Sequence, residues 1–252
     1  MKLMIHLKKI GKTILNDKMM SIMEHLHELK KRMLRVFLLA LILSIISLVF
    51  YKQIFDFFIV DIESIIQDNG GVIAIQSITE GWVVAAKLAI TFGVILTLPY
   101  FLWELSMFFK PGLKQQEQKY IFILVPFSII SFSIGALFAY IIVIPRLVNF
   151  LIKLSKDIGE PVIMVGPLVS QIVTFIFWLG LVFELPIIMF LLAKIQLINY
   201  DSLKKFRRWM ILFAFIFGAL ITPTDPISQI IVAVPVMLLF EAGMFLVKIG
   251  EK

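Results

Sequence analysis

Apolar residues gather in six runs, at 33–51, 82–101, 120–144, 168–193, 209–221 and 227–247, divided by short stretches rich in Lys, Asp, Glu, Gly and Pro. A bilayer core of about 30 Å needs roughly 20 apolar residues per helical span, so five runs are long enough and the run at 209–221 falls short. Each is read as a helix, because an open strand edge in lipid leaves backbone N–H and C=O groups without partners. The short run predicts a helix that stops early, thins the bilayer or is shielded by neighbours.

Composition agrees with this pattern. With 60% hydrophobic and 16% charged residues over 252 positions, a water-soluble core is excluded. Six spans joined by short loops fill the chain and leave no room for a sizeable soluble domain. The expected architecture is an all-α integral membrane protein of six transmembrane helices, both termini cytoplasmic, with bent helices forming a concave bundle. Its parts are a basic amphipathic segment at 1–32, a membrane domain at 33–247 and a short tail at 248–252. The absence of cysteine excludes disulfides and thiolate metal sites.

The net charge of +7 is distributed unevenly. The amino-terminal segment, the 110–119 loop, Lys194, the 204–208 cluster and the carboxyl terminus share one side and hold most of the Lys and Arg. The other side has Lys52, Arg146, Lys153 and Lys156 beside acids that include Asp56, Asp61, Glu63, Asp68, Glu80, Asp157, Glu160 and Asp225. Positive loops stay untranslocated, which assigns both termini to the cytoplasm.

The first 32 residues lack the continuous apolar core of a secretory signal. Leu3, Leu7, Ile10 and Ile14 recur at helical spacing between lysines; the segment reads either as an amphipathic helix on an anionic membrane surface or as a disordered basic tail. Ser21 followed by Glu24 has the spacing of a capping box that would begin a helix leading into the first span. Pro99, Pro126, Pro186 and Pro235 fall inside apolar runs, where each removes a backbone hydrogen bond and bends its helix.

No catalytic constellation is apparent, and neither nucleotide nor nucleic-acid binding is indicated. Gly11-Lys12-Thr13 lacks the rest of a phosphate-binding loop, and His25 and His27 alternate on a helix, so they point apart and make no metal site. The chain is not expected to be an enzyme or to carry a cofactor. Carboxylates in unusual places remain. Glu184 stands in the fourth run and needs either a hydrogen-bonded site within the bundle or a polar partner. Lys87 is too far along its own helix to pair with it, and is expected to extend toward the acidic side. Glu28, which can pair with Arg32 one turn on, and Glu117, among Lys110, Lys114 and Lys119, are carboxylates on the basic side able to accept a guanidinium.

Taken in order, these motifs resemble the C subunit of the twin-arginine protein translocase over residues 20–247. The matching stretches are His25-Leu26-His27-Glu28-Leu29-Lys30-Lys31-Arg32, then Phe108 through Pro111-Gly112-Leu113 to Glu117, then Phe138-Ala139-Tyr140. Phe183-Glu184-Leu185-Pro186, Thr222-Pro223-Thr224-Asp225 with Gln229, and Phe240-Glu241 complete the set. The resemblance implies a subunit that receives folded cargo through a signal carrying two consecutive arginines. Glu28, Glu117, Phe108 and Lys30 are then the signal-binding residues. Glu184 and Gln229 face single-span partners of the A and B type, and Pro223 and Asp225 shape a loop on the far side.

It further implies an oligomeric, lipid-embedded assembly driven by the proton-motive force, in a bacterial cytoplasmic (inner) membrane or, as the alternative, an organellar one. Two positions depart from the family's pattern. Lys30 stands where arginine is usual, losing the planar fork, and Ser106 stands where tryptophan is frequent. The competing function is a proton-coupled small-solute transporter with Glu184 as its titrating group.

Overall fold

The structure, a computed structural model, describes residues 2–109, 118–156, 159–194, 196–222 and 226–250, with side chains left aside at 2–22, 25, 109 and 118–124. Nearly all of it is helical. Helix α1 covers Lys2–Val49, α2 Tyr51–Asp68, α3 Glu80–Phe109, α4 Gln118–Phe138, α5 Ile144–Lys156, α6 Val165–Phe183, α7 Leu185–Lys194, α8 Tyr200–Ile221 and α9 Pro226–Gly250. Strands β1 (Val72–Ala74) and β2 (Val162–Met164) pair in parallel, Val72 opposite Val162 and Ala74 opposite Met164.

Among the described residues, five helical stretches are long and apolar enough to cross a membrane: Leu26–Val49, Glu80–Phe108, Val125–Lys156, Val165–Lys194 and Pro226–Gly250. Their outer faces carry Leu34, Phe37, Leu41, Ile45, Ile90, Ile130, Ile134, Leu238 and Phe245 in exposed positions. An apolar exterior of this extent belongs in lipid, where it has no water to avoid.

Packing explains the arrangement. Helix α1 runs along α3, α4 along α6, and α9 against both α7 and α8. At the α1–α3 crossing a Cβ on Gly93 would lie 2.6 Å from the Cα of Ser44, so the helices meet backbone to backbone. Between α4 and α6 a Cβ on Gly180 would run into the Phe132 ring, and one on Gly135 would lie 2.8 Å from the Phe183 ring. Each helix thus offers a glycine to the other's phenylalanine.

The connections on the acidic side are more ordered than the charge pattern suggests. Helix α2 lies within the stretch expected to be a loop, and buries Ile59, Ile62 and Ile66 against Leu88, Leu147 and Phe175. The third apolar run does not stop near Ile144. A π-helical turn at Ala139–Val143 leads directly into α5, which buries Leu147, Val148 and Ile152. Pro145 follows that turn, and the N–H it lacks removes one α-helical bond. Tyr140, in the wide turn, stacks on Phe57 and donates its hydroxyl to Asp61 Oδ2 at 2.9 Å, tying α2 to the bundle.

Two expectations need correction. Helix α1 passes through Ser21 without a break, so the Ser21–Glu24 pair does not begin a helix; the apolar periodicity continues on both sides and propagation outweighs a local cap. The fourth span is not one bent helix: it divides at Glu184, and Pro186 lies in the first turn of α7.

Candidate functional site

At the basic end, α1 and α3 bring together a network of charges. Glu28, Arg32 and Arg35 follow one another at i, i+4 and i+7, so helical geometry stacks them on one face of α1. On α3, Tyr100, Glu104 and Phe108 recur at four-residue intervals. The α1–α3 contact at Gly93 and Ser44 sets the register in which these faces meet.

Arg32 Nη1 donates to Glu104 Oε2 at 2.7 Å, while its Nε and Nη2 donate to Glu28 Oε1 at 3.1 and 2.6 Å. Arg35 Nη2 reaches Glu104 at 3.2 Å, and the Tyr100 hydroxyl donates to Glu104 Oε1 at 2.6 Å. Glu104 is only 3% exposed, so it is a buried carboxylate with a charged donor on each side. The sequence pass did not select Glu104. Its signal was present in the Tyr100-Glu104-Phe108 spacing, but Glu104 lies just beyond the apolar run.

The residues named from sequence distribute as follows. Glu28 is partly exposed and paired with Arg32; Lys30 is exposed, and Phe108 is half-buried one turn beyond Glu104. Glu117, Pro223 and Asp225 lie outside the described residues. Gln229 turns inward, its amide donating to the Phe215 carbonyl at 2.6 Å beside Gly218, where α8 and α9 touch. Lys87 donates to Ser170, in the second turn of α6 from its acidic-side start.

Glu184 stands at the α6–α7 break, and the break has a chemical cause. Pro186 has no N–H for the Val182 carbonyl, and Ile187 bonds the Glu184 carbonyl at 3.1 Å in a tightened turn. That leaves the Phe183 carbonyl for the Ser131 hydroxyl, which donates to it at 2.7 Å. The neighbouring Ser128 hydroxyl donates to Glu184 Oε2. Glu184 is 3% exposed, and its Oε1 has no hydrogen-bond partner among the described residues.

The carboxyl group borders a groove of about 440 Å³ between α3, α4, α6 and α7, walled by Leu102, Leu105, Val125, Phe132 and Ile188, with Ser106 and Ser128 as its other polar groups. Such a surface can hold an apolar helix that offers one polar donor. Among the described residues, no group of three or more His, Asp or Glu is placed to hold a metal ion.

At the acidic end, Glu80 opens α3 and accepts the backbone N–H groups of Gln76 and Ser77 and, across the bundle, that of Gly166 at the start of α6. Burial at 8% with three backbone donors makes this a structural staple. A Cβ at Gly166 would lie 2.6 Å from Glu80 Oε1.

The family model for the Sec-independent protein translocase protein TatC matches residues 24–235. The TatC protein of Carboxydothermus hydrogenoformans is 34% identical over 93% of this chain and 95% of its own length. The "uncharacterized tatC-like protein ycf43" of Porphyra purpurea is 34% identical over 94% of this chain and 91% of its own. A crystal structure of the twin-arginine translocase receptor TatC superposes with a TM-score of 0.81 at 31% identity, covering 90% of this chain and all of the other. The small-solute transporter has no support from these comparisons. With membrane-length apolar helices, the matching fold and relatives similar over almost their full length, the chain belongs to the TatC family of Sec-independent protein translocases.

Proposed function

We propose that this chain binds twin-arginine signals of folded cargo at its cytoplasmic face and recruits single-span A- and B-type partners for export driven by the proton-motive force. The observation that carries the reading is the half-exposed carboxylate Glu28, already holding a guanidinium through two N–H donors that converge on its Oε1 at the basic end of the bundle. What it does for Arg32 it can do for an arginine of a signal, with Glu117 as the second acceptor and Phe108 and Lys30 at the rim. Glu184 and the groove beside it serve the later step, since a carboxyl oxygen without a donor at an apolar wall suits a partner helix.

Six spans and cytoplasmic termini complete the proposal. The span added to the five long ones is α8, fifth in chain order, whose apolar part from Trp209 to Ile221 is only about 20 Å long and follows Lys204, Lys205, Arg207 and Arg208. Its pairing with α9 and the Gln229–Phe215 bond shield the short helix on one side. The membrane is the bacterial cytoplasmic (inner) membrane in this reading, and the assembly is oligomeric.

Crosslinking of a two-arginine signal peptide to Glu28→Gln and Glu117→Gln tests the recognition step. Each change keeps size and removes charge, and should weaken binding by about 1.5 to 3 kcal/mol. Wild-type crosslinking in both folded variants would overturn the assignment. Reporters fused after Lys119 and Arg208 should read cytoplasmic and those within 61–71 should read on the far side; a far-side reading at Arg208 would overturn the six-span topology.

A further inference from the structure

Lys87 lies inside a membrane-length helix, and among the described residues no carboxylate pairs with it. It stands on α3 one and a half turns beyond Trp82, which is 77% exposed and marks the interface on the acidic side. The residue is therefore about 7 Å deeper than that interface. Its amine is not drawn back to the surface, because it donates to the Ser170 hydroxyl in the second turn of α6. Ser170 gives its own proton to the Gly166 carbonyl at 2.7 Å, so it only accepts from the ammonium, and the other ammonium N–H groups have no acceptor among the described residues. Glu80, two turns nearer the acidic side on the same stripe of α3, is taken up by the backbone N–H groups of Gln76, Ser77 and Gly166. An ammonium at such depth is costly unless it faces a partner.

Helical phase gives the direction in which it faces. Leu98 follows Lys87 by three turns of α3, and Leu181 follows Ser170 by three turns of α6; both wall the groove that Glu184 borders. Lys87 and Ser170 thus extend those two walls by about 16 Å toward the acidic side. One face of the bundle carries an acid with an unfilled oxygen at one level and a cation with unfilled donors about 21 Å away along α6.

We propose that Lys87 is the far-side anchor of the partner-binding face: it selects a single-span helix that carries a carboxylate near its far-side end and, about fourteen residues on, a hydrogen-bond donor for Glu184. This rests on the reading of the Glu184 groove as a partner site. Fourteen residues bring a helix back to within about 40° of the same face, so one straight helix lying along the groove meets both groups. Charge complementarity chooses the occupant. A wholly apolar helix leaves the ammonium unpaired, a helix with a lysine at that level adds a second cation, and a lipid phosphate stays at the interface that Trp82 marks.

The test uses the full-length protein in phosphatidylcholine nanodiscs and synthetic Leu/Ala helices of about 22 residues. Each has Glu, Gln or Lys near its far-side end, a serine about fourteen residues on, and a photo-crosslinker between them. The wild-type protein should favour the Glu helix over the Gln helix by about three- to thirtyfold, the range for polar contacts between membrane helices, and should bind the Lys helix most weakly. Lys87→Gln should erase the preference, Lys87→Arg should retain it, and Lys87→Glu should reverse it in favour of the Lys helix.

A folded Lys87→Gln protein with the full preference, or a wild type that treats Glu and Gln alike, would overturn the proposal and leave Lys87 as a tie between α3 and α6. If Lys87→Gln does not fold, the ranking of the three helices on the wild type and on Lys87→Arg decides by the same criterion. A preference that vanishes when phosphatidylglycerol is added to the bilayer would assign the ammonium to an anionic headgroup, and the proposal would fall. Glu184→Ala separates the two levels: crosslinking that ignores Glu184 removes the groove reading itself, while crosslinking that needs Glu184 and ignores the far-side residue removes only the anchor.

Discussion

Glu104 and Glu184 are equally buried, at 3% exposure each, and their surroundings differ in kind. Glu104 receives two guanidiniums and a phenol hydroxyl, all from its own chain. Glu184 receives one serine hydroxyl and keeps an oxygen with no donor among the described residues. Burial alone thus says little about the role of an acid in a membrane protein. A carboxylate saturated from within fixes the register of two helices, and one left partly unsatisfied beside a groove is available to something else.

Breaking the saturated site should have the larger effect on stability. Glu104→Ala leaves Arg35 without this partner and Arg32 with Glu28 alone. It should destabilise the α1–α3 contact by about 3 kcal/mol, the low end for removing one partner of a buried pair, since Arg35 is half-exposed. Thermal unfolding in detergent or nanodiscs measures it; an unchanged midpoint would mean that Gly93–Ser44 packing alone sets the register.

Ser128→Ala sharpens the other side of the comparison. It removes the one described donor to Glu184 and should cost roughly 1 to 2 kcal/mol, the penalty for an acceptor left unsatisfied. The double variant with Glu184→Ala should recover most of that loss, which a cycle of the four proteins would show.

Glu184→Ala by itself should change stability by less than about 1 kcal/mol, because an acid in an apolar setting costs energy rather than supplying it. Partner crosslinking and transport should nevertheless fall together, with signal binding near normal. A variant that loses signal binding and keeps partner contacts would place recognition inside the bundle and erase the contrast between the two acids.

Smallest of all should be the effect of Arg207→Gln. It breaks the ion pair with Glu241 between α8 and α9, but both side chains are about half-exposed, and screening removes much of the benefit of such a pair. Its unfolding midpoint should be indistinguishable from wild type, and a clear drop would show that α8 depends on this pair to stay in place.

The sequence by itself determined that the chain is a bundle of apolar helices, since run length and the need to satisfy every backbone group in lipid leave no alternative. It also determined where the fourth span would be disturbed, because Pro186 removes a bond whatever its surroundings, and it singled out Glu184 as an acid needing a reason and Glu28 with Glu117 as carboxylates able to accept a guanidinium. Helix α2 was legible in principle in the spacing of Ile59, Ile62 and Ile66, but the acids among them gave the stretch the look of a loop. Only the tertiary structure decided which charges meet. Arg32 and Arg35 lie 72 and 69 residues from Glu104, and their pairing with it depends on how far α1 slides along α3, a register set by the close approach of Gly93 to Ser44. A slide of one helical turn, about 5.4 Å, would separate them, and no local pattern in the chain encodes that distance.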